Sequence, residues 1–277
     1  MEGGYDLENK KQISAIAALC AVLIVVLAAG AIKEKKQDKQ NSADYNAWVE
    51  QKSSEKGEAQ VQIDEKEQKA EENKTEAESA KNENFYKKLA KKEKVKVLII
   101  GDGIALSEGK TSEDGVWQNG VSYIIKNTYG CESEVVSLAK NKSKVSDGIK
   151  VVGNNDVKDY DLIITCFGHN DSRDKISIDE FKTNYVTLIT KLKEANGNVI
   201  IMPIVESTLE KDNVYRNAII NTCSESSIDY ADMKLAFEKS GIIERNLENN
   251  DLPNNTGYQI YTQTIGEVIK AGMAKNK

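Results

Sequence analysis

The chain has 277 residues, a formal net charge of −6 at pH 7 and four cysteines. A negative net charge of this size gives no electrostatic footprint for nucleic acid, so the sequence predicts no nucleic-acid partner. Cys20 lies in an apolar run, and Cys131, Cys166 and Cys223 lie far from it without a CxxC spacing. The cysteines are therefore predicted to be small buried apolar residues rather than a disulfide framework or a metal site.

An apolar run follows the N-terminal tail of residues 1–12. Residues 13–32, ISAIAALCAVLIVVLAAGAI, contain no charge and match the length of a helix that crosses a bilayer. The run predicts a single-pass membrane anchor, although Ala29-Gly30-Ala31 leaves a cleaved signal peptide as the alternative. Flanking lysines leave the orientation open. We expect the C-terminal part to be extracytoplasmic, because long domains are translocated despite modest charge differences.

Residues 33–94 have the composition of a charged stalk or linker. They are rich in Lys, Glu, Gln, Asn and Ala and contain no Pro. Trp48, Val61 and Ile63 are too sparse to form the seam of a coiled coil. A segment of this kind cannot bury a core, and we interpret it as a spacer.

Residues 95–277 have the pattern of a folded α/β domain. The apolar runs predict strands over residues 95–100, 134–138, 161–167, 198–205 and 228–230. Helical spacing predicts helices over residues 116–129, 178–194, 214–224 and 258–274. Alternating strands and helices indicate a parallel sheet covered on both faces. A functional site is then expected beyond the carboxyl ends of the strands, at the turns after strands one, two and three and before the last helix.

Three short sequence motifs lie at those turns. They are Gly101-Asp102-Gly103, Gly168-His169-Asn170-Asp171, and NNDLPNNTGYQIYTQTI over residues 249–265. In this order they resemble the SGNH hydrolases, also called GDSL-type esterases, over essentially all of residues 95–277. The resemblance implies a flavodoxin-like three-layer α/β/α sandwich with about five parallel strands. It also implies acyl hydrolysis or transfer, often of acetyl groups on carbohydrate, without a cofactor or metal.

When the family's catalytic positions are matched to this sequence, the resemblance predicts an incomplete catalytic centre. The family's chemistry uses a serine nucleophile, a histidine base and an aspartate that orients the histidine. Here Gly103 stands at the serine position, Leu252 at the histidine position and Asn249 at the aspartate position, and the glycine after strand two falls near Lys142. Loss of both nucleophile and base predicts a pseudoenzyme, since either loss alone costs many orders of magnitude in rate.

The remaining family positions predict a ligand pocket. By resemblance, the Gly103 N–H and the Asn170 amide would still meet a carbonyl oxygen, although Asn170 as a simple loop cap is the alternative. The expected pocket residues are Asp102, Gly168, His169, Asp171 and Asp251. Asp102 and Asp171 are expected to brace turns through hydrogen bonds, while a cation site formed by the three aspartates is the alternative.

Two residues are candidates to replace the missing groups. Ser107 lies four residues after Gly103, and His169 is the only histidine of the chain. We expect Ser107 to be a helix-surface or capping serine and His169 to line the pocket without acting as a base.

Three functional hypotheses follow from these residues. The first is a membrane-anchored pseudoenzyme that binds an acylated glycan or a partner protein at the cell envelope. The second is an active ester hydrolase or O-acetyltransferase with a rearranged site. The third is a structural interaction module with a vestigial pocket. Turnover separates the second from the others, and ligand binding separates the first from the third.

Overall fold

The computed structural model describes residues 83–241, 247–248 and 252–276. The predicted tail of residues 1–12, the predicted anchor of residues 13–32 and the stalk up to residue 82 lie outside the described residues. Within the described part, no helix has both the length and the apolar character needed to cross a bilayer.

Within these residues, five strands form one parallel sheet. The strands are β1 Val95–Gly101, β2 Ser133–Ser137, β3 Leu162–Cys166, β4 Ile200–Val205 and β5 Ala231–Asp232. Their order is β2-β1-β3-β4-β5, so the chain starts in the middle of the sheet and builds outward on both sides. A short antiparallel pair, β6 Leu247–Glu248 and β7 Leu252–Pro253, precedes the last helix. The predicted parallel sheet is confirmed.

Helices cover both faces of the sheet. They are α1 Phe85–Lys91, α2 Trp117–Tyr129, α3 Val145–Asn154, α4 His169–Arg173, α5 Ile178–Ala195, α6 Val214–Glu225, α7 Met233–Ser240 and α8 Asn255–Lys275. Buried side chains of α1, α2, α7 and α8 pack on one face, and those of α3, α5 and α6 pack on the other. This is a three-layer α/β/α arrangement, as the sequence predicts.

Helix α5 illustrates how the sequence sets the layers. The Ser177 hydroxyl caps its first turn by accepting from the Glu180 N–H at 3.2 Å. Phe181, Tyr185 and Leu188 recur at helical spacing and are fully buried. Because β1 and β3 are buried on both faces, their sequences are continuous apolar runs rather than alternating ones.

Three local predictions differ from the structure. The fifth strand lies at Ala231–Asp232, after the predicted residues 228–230, and Asp232 also caps α7. Helix α3 was not predicted, because its two glycines weaken the helical signal. Gly148 of α3 nonetheless lets the helix approach closely: an added Cβ there would lie 2.7 Å from the Phe167 ring. Turns, rather than the expected short helix, follow Gly103.

The folded domain includes helix α1, which lies before the predicted domain boundary at residue 95. Phe85, Tyr86 and Leu89 are at most 4% exposed and belong to the core beneath α8. The Asn84 side chain caps the helix by accepting from the Lys87 N–H at 3.1 Å. Residues 83–94, predicted as the end of the stalk, are thus part of the folded domain.

We predict that Phe85→Ala lowers the free energy of unfolding by about 3–5 kcal/mol, because it leaves a cavity under α8. Urea denaturation of the full-length chain measures this change. Lys87→Ala on the exposed side of the same helix is the matched control and should change stability by less than about 0.5 kcal/mol. Equal effects of the two substitutions would show that α1 does not pack as described.

Candidate functional site

The site is built at the carboxyl edge of the sheet, where β1 and β3 end side by side. Gly101 is paired with Cys166, and the Asp102 N–H donates to the Cys166 carbonyl at 3.1 Å. After β3 the chain turns at Gly168, whose φ of +134° favours glycine. An added Cβ at Gly168 would also lie 2.9 Å from Leu209 Cδ1. The two predicted motifs therefore meet at one edge.

Asp102 is the centre of the hydrogen bonds at this edge. Its Oδ1 accepts from the Ile104 N–H at 2.9 Å, and its Oδ2 accepts from Asn170 Nδ2 at 2.7 Å. Both Asp102 and Asn170 are buried. The Asn170 amide is thus held by Asp102 through one N–H, which leaves its second N–H for another acceptor.

The position of the expected nucleophile carries no hydroxyl, and two neighbouring side chains fill the space next to it. A Cβ added at Gly103 would lie 1.9 Å from Glu108 Oε2 and 2.3 Å from Asn141 Oδ1. Both are ends of flexible side chains, so each would have to move to admit a serine. The glycine is thus accompanied by side chains that take the space of the missing residue.

Glu206 is the most important site residue that the sequence analysis did not select. It follows β4 directly and is fully buried. Its Oε2 accepts from the His169 N–H at 2.6 Å, and its Oε1 accepts from the Cys166 thiol at 3.3 Å. Its carboxyl group also forms a hydrogen-bonded pair with that of Asp102. Glu206 therefore connects the ends of three neighbouring strands.

The two buried carboxyl groups share a proton. Burial raises the pKa of Asp102 from 3.8 to about 6, although hydrogen bonds from Ile104 and Asn170 partly offset the rise. Burial, reinforced by the charge of Asp102, raises the pKa of Glu206 well above its ordinary value. Among the described residues, no cation contributes to either shift. Two carboxylates this close cannot both ionise without one, so one of them holds a proton near neutral pH.

Cys166 lies beside this pair of carboxyl groups. Together, the three side chains are a candidate set of metal ligands. The ligand atoms of Asp102, Cys166 and Glu206 all lie within 4.8 Å of one another. Burial raises the pKa of the Cys166 thiol well above 9, so it stays protonated and donates to Glu206. In this state the thiol proton satisfies Glu206, so the three groups form a hydrogen-bonded cluster.

His169 and Asp171 occupy helix α4, immediately after Gly168. His169 is half-buried, and its Nδ1 lies 3.1 Å from Thr208 Oγ1. Asp171 is 2% exposed and accepts from the Val145 N–H at 3.3 Å. Burial raises the pKa of Asp171 to about 6. Asp171 thus braces the start of α3 against the end of β3.

Of the other predicted site residues, the structure describes Ser107 and Leu252. Ser107 is in a turn with φ of +58° instead of a helix, and it is 1% exposed. Its hydroxyl accepts from the Trp117 N–H at 3.3 Å, so it is a structural residue and not a surface serine. Leu252 is half-buried in β7. Asn249 and Asp251 lie outside the described residues.

One signal in the sequence points to Glu206. It directly follows a buried strand, as Asp102 does, but no motif of the SGNH pattern lies at this turn. Glu108, Asn141 and Thr208 carry no such signal, because their positions depend on how loops fold over the sheet edge.

The comparisons with known proteins agree with this geometry. No protein-family model matches the sequence, and no curated protein matches it by sequence. Among solved structures, a two-domain esterase active on acetylated mannans has a TM-score of 0.56 at 13% identity, over 67% of this chain and 51% of that chain. This chain therefore spans about half the length of that two-domain esterase.

Two other solved structures are matched over nearly their whole length. A lipolytic protein of the G-D-S-L family from Veillonella parvula has a TM-score of 0.52 at 16% identity, over 62% of this chain and 97% of that one. A carbohydrate esterase family 3 protein from Talaromyces cellulolyticus has a TM-score of 0.53 at 16% identity, over 65% and 99%. The described domain therefore has the SGNH hydrolase fold. Identities this low establish the fold and not the activity.

We predict that the free energy of unfolding falls as pH rises from about 4 to about 8. The folded state keeps protons on Asp102 and Asp171 up to about pH 6, whereas both ordinarily have a pKa of 3.8. Raised pKa values of acids favour the folded state at low pH, and this advantage is lost as pH rises. Glu206→Gln should flatten the decline, because glutamine cannot ionise and can donate to Asp102. Thermal unfolding across this pH range measures the slope.

The control for this experiment is Glu225→Gln on the exposed side of α6. It should leave the pH dependence unchanged. The part of the decline that comes from Asp171 should remain in Glu206→Gln. A decline as steep in Glu206→Gln as in the wild type would refute a shared proton between Asp102 and Glu206.

Proposed function

We propose that this protein binds an acylated carbohydrate at the old SGNH site without cleaving it. The observation that carries the proposal is the state of position 103, where a glycine and two intruding side chains replace the nucleophile. The predicted anchor of residues 13–32 would hold the domain at a membrane, facing the cell envelope. The carbohydrate class is suggested by the fold neighbours, one of which is an esterase active on acetylated mannans.

The retained parts of the site support binding. Asn170 is fixed by Asp102 at 2.7 Å, which orders the amide before a ligand arrives. A preorganised donor in a buried position gains affinity, because little side-chain entropy is lost on binding.

The lack of a nucleophile and a base at the family positions supports the absence of ester hydrolysis by a serine. Acyl transfer needs a hydroxyl at the end of β1 and a base within hydrogen-bond reach. Ser107 does not supply the hydroxyl, because it is buried in a turn and bonded to Trp117. The histidine position holds Leu252. Binding and oxyanion contacts alone leave only a small fraction of normal catalysis.

One observation favours hydrolysis by a rearranged site as a second candidate. His169 Nδ1 lies 3.1 Å from Thr208 Oγ1, within the reach of a nucleophile–base pair. The threonine oxygen would attack the acyl carbon while the imidazole takes the hydroxyl proton. The bond from the acyl carbon to the sugar oxygen would then break, the imidazole would return the proton to that oxygen, and water would hydrolyse the acyl-threonine. Turnover that depends on His169 and Thr208 identifies this candidate.

We predict that the full-length chain binds acetylated mannan oligosaccharides in calorimetry and releases no acetate from them. Asn170→Ala should weaken binding about tenfold, since it removes the ordered donor. Gly103→Ser should still release no acetate, because Glu108 and Asn141 crowd the serine and the histidine base is missing.

Asn127→Ala on the exposed side of α2 is the matched control and should bind like the wild type. Thermal unfolding confirms that each variant is folded before its affinity is compared. Binding that is unchanged in a folded Asn170→Ala variant would contradict the proposed site. Acetate release that is lost in both His169→Ala and Thr208→Val would replace binding with hydrolysis.

The membrane attachment in this proposal has its own test. We predict that the full-length chain stays with the membrane pellet after an alkaline carbonate wash, because residues 13–32 are long enough to span a bilayer. A chain lacking residues 1–32 is the control and should appear in the supernatant. Release of the full-length chain by the wash would contradict a retained anchor.

A further inference from the structure

Strand β4 has sheet neighbours on both sides over only part of its length. Its pairing with β3 runs from Ile200 to Ile204, whereas its pairing with β5 begins at Ile204. Pro203 lies just before that point, and proline has no N–H to donate to a neighbouring strand. Residues 200–202 therefore form an unpaired edge on the side of β4 that faces away from β3.

A cleft of about 340 Å³ lies at this unpaired edge, and we call it the β4 cleft. Tyr86 of α1 and Lys275 of α8 line it from one helical layer, and Lys193 of α5 lines it from the other. Because both layers contribute, the cleft lies at the side of the sheet rather than over one face. Its volume falls at the lower end of the range of about 300–1,000 Å³ that is typical of ligand sites.

The backbone of Ile201 brings a donor and an acceptor to the unpaired edge. The Ile200 N–H donates to the Asp161 carbonyl, on the β3 side, at 3.0 Å. Successive residues of a strand direct their N–H and carbonyl groups to opposite sides, so those of Ile201 face the cleft. Ile201 is 5% exposed, and neither backbone group has a hydrogen-bond partner among the described residues. Buried backbone groups are nearly always paired in native proteins.

The Tyr86 hydroxyl is a third such group at the cleft. Tyr86 is 4% exposed, and its hydroxyl has no hydrogen-bond partner in the part of the chain that the structure describes. A Cβ on Gly272 would overlap this hydroxyl, so the glycine makes room for the phenol beside α8. Burial, reinforced by the charge of Asp229, raises the pKa of Tyr86 to about 12. The hydroxyl therefore keeps its proton and can donate it.

The charged side chains of the cleft have partners of their own. Lys275 Nζ lies 2.5 Å from Asp229 Oδ1, and Lys193 Nζ donates to the Ser226 carbonyl at 3.5 Å. Apolar side chains, such as that of Ile228, form much of the remaining lining. The groups that lack partners are thus an N–H, a carbonyl and a hydroxyl, all neutral. A neutral peptide backbone with apolar side chains complements this set.

We propose that the β4 cleft binds a short, extended, apolar segment of a partner polypeptide, which adds as a strand to the unpaired edge of β4. One residue of the segment would exchange two hydrogen bonds with Ile201, as opposed residues of antiparallel strands do. A neighbouring peptide carbonyl would accept from the Tyr86 hydroxyl. The cleft lies at the amino edge of the sheet, so this inference is independent of the function proposed for the carboxyl edge.

The test uses a pentapeptide of alternating threonine and valine, blocked at both ends so that it carries no charge. Two versions of it are N-methylated, one at the threonines and one at the valines. Calorimetry with the full-length chain measures the affinity of each. We expect the parent peptide to bind and only one methylated version to lose about tenfold in affinity, because alternate N–H groups of a strand point to the same side.

Tyr86→Phe tests the contribution of the protein. It removes the hydroxyl and keeps the ring, so peptide binding should weaken about tenfold. Its midpoint of urea unfolding should stay at the wild-type value, because the hydroxyl has no partner to lose within the described residues. Tyr123→Phe, on α2 and outside the cleft, is the matched control and should bind like the wild type.

Four results would overturn the inference. The first is no binding of the parent peptide, and the second is equal binding of the parent and both methylated versions. The third is equal affinity of the wild type and a folded Tyr86→Phe variant. The fourth is binding of N-acetylvaline amide as tightly as the pentapeptide, which would indicate a small amide ligand instead of an added strand.

Discussion

Two buried carboxyl groups, which have no cationic partner among the described residues, set the arrangement of the carboxyl edge. Asp102 and Glu206 satisfy each other only if they hold a proton between them. Their remaining oxygens order the Ile104 turn, the Asn170 amide and the start of helix α4 at His169. Strands β1, β3 and β4 end at this network, so the site depends on a charge state as much as on packing.

This network separates the support of the site from its chemistry. Asp102, Glu206 and Asp171 form the buried support at the carboxyl edge, while Gly103 and Glu108 lie at the position of the expected nucleophile. The support is fully formed even though the nucleophile position holds no hydroxyl. The ordered donors therefore do not depend on a hydroxyl at position 103, because the interactions that place them do not involve that residue's side chain.

Sequence patterns predicted the fold well and the site only in part. The apolar runs of β1 and β3 and the stripe of α5 have strong periodic signals, because each element is buried in a regular way. Asp102 and Asn170 were found because short motifs follow those strands. Glu206 has no such motif, and Glu108 and Asn141 depend on loop contacts that no local pattern encodes. Helix α1 was overlooked since its few apolar residues lie in a charged segment.

Helix α1 also determines how the domain bears a load. Lys88 pairs with Asp161 at 2.7 Å, and Asp161 also accepts from the Lys96 N–H at 2.8 Å. A pull on the chain before residue 83 is therefore transmitted to the amino ends of β1 and β3, in the middle of the sheet. The candidate site lies at the opposite edge of the sheet, at the carboxyl ends of these strands. Tension applied before residue 83 would thus strain the amino edge of the domain before it disturbed the candidate site.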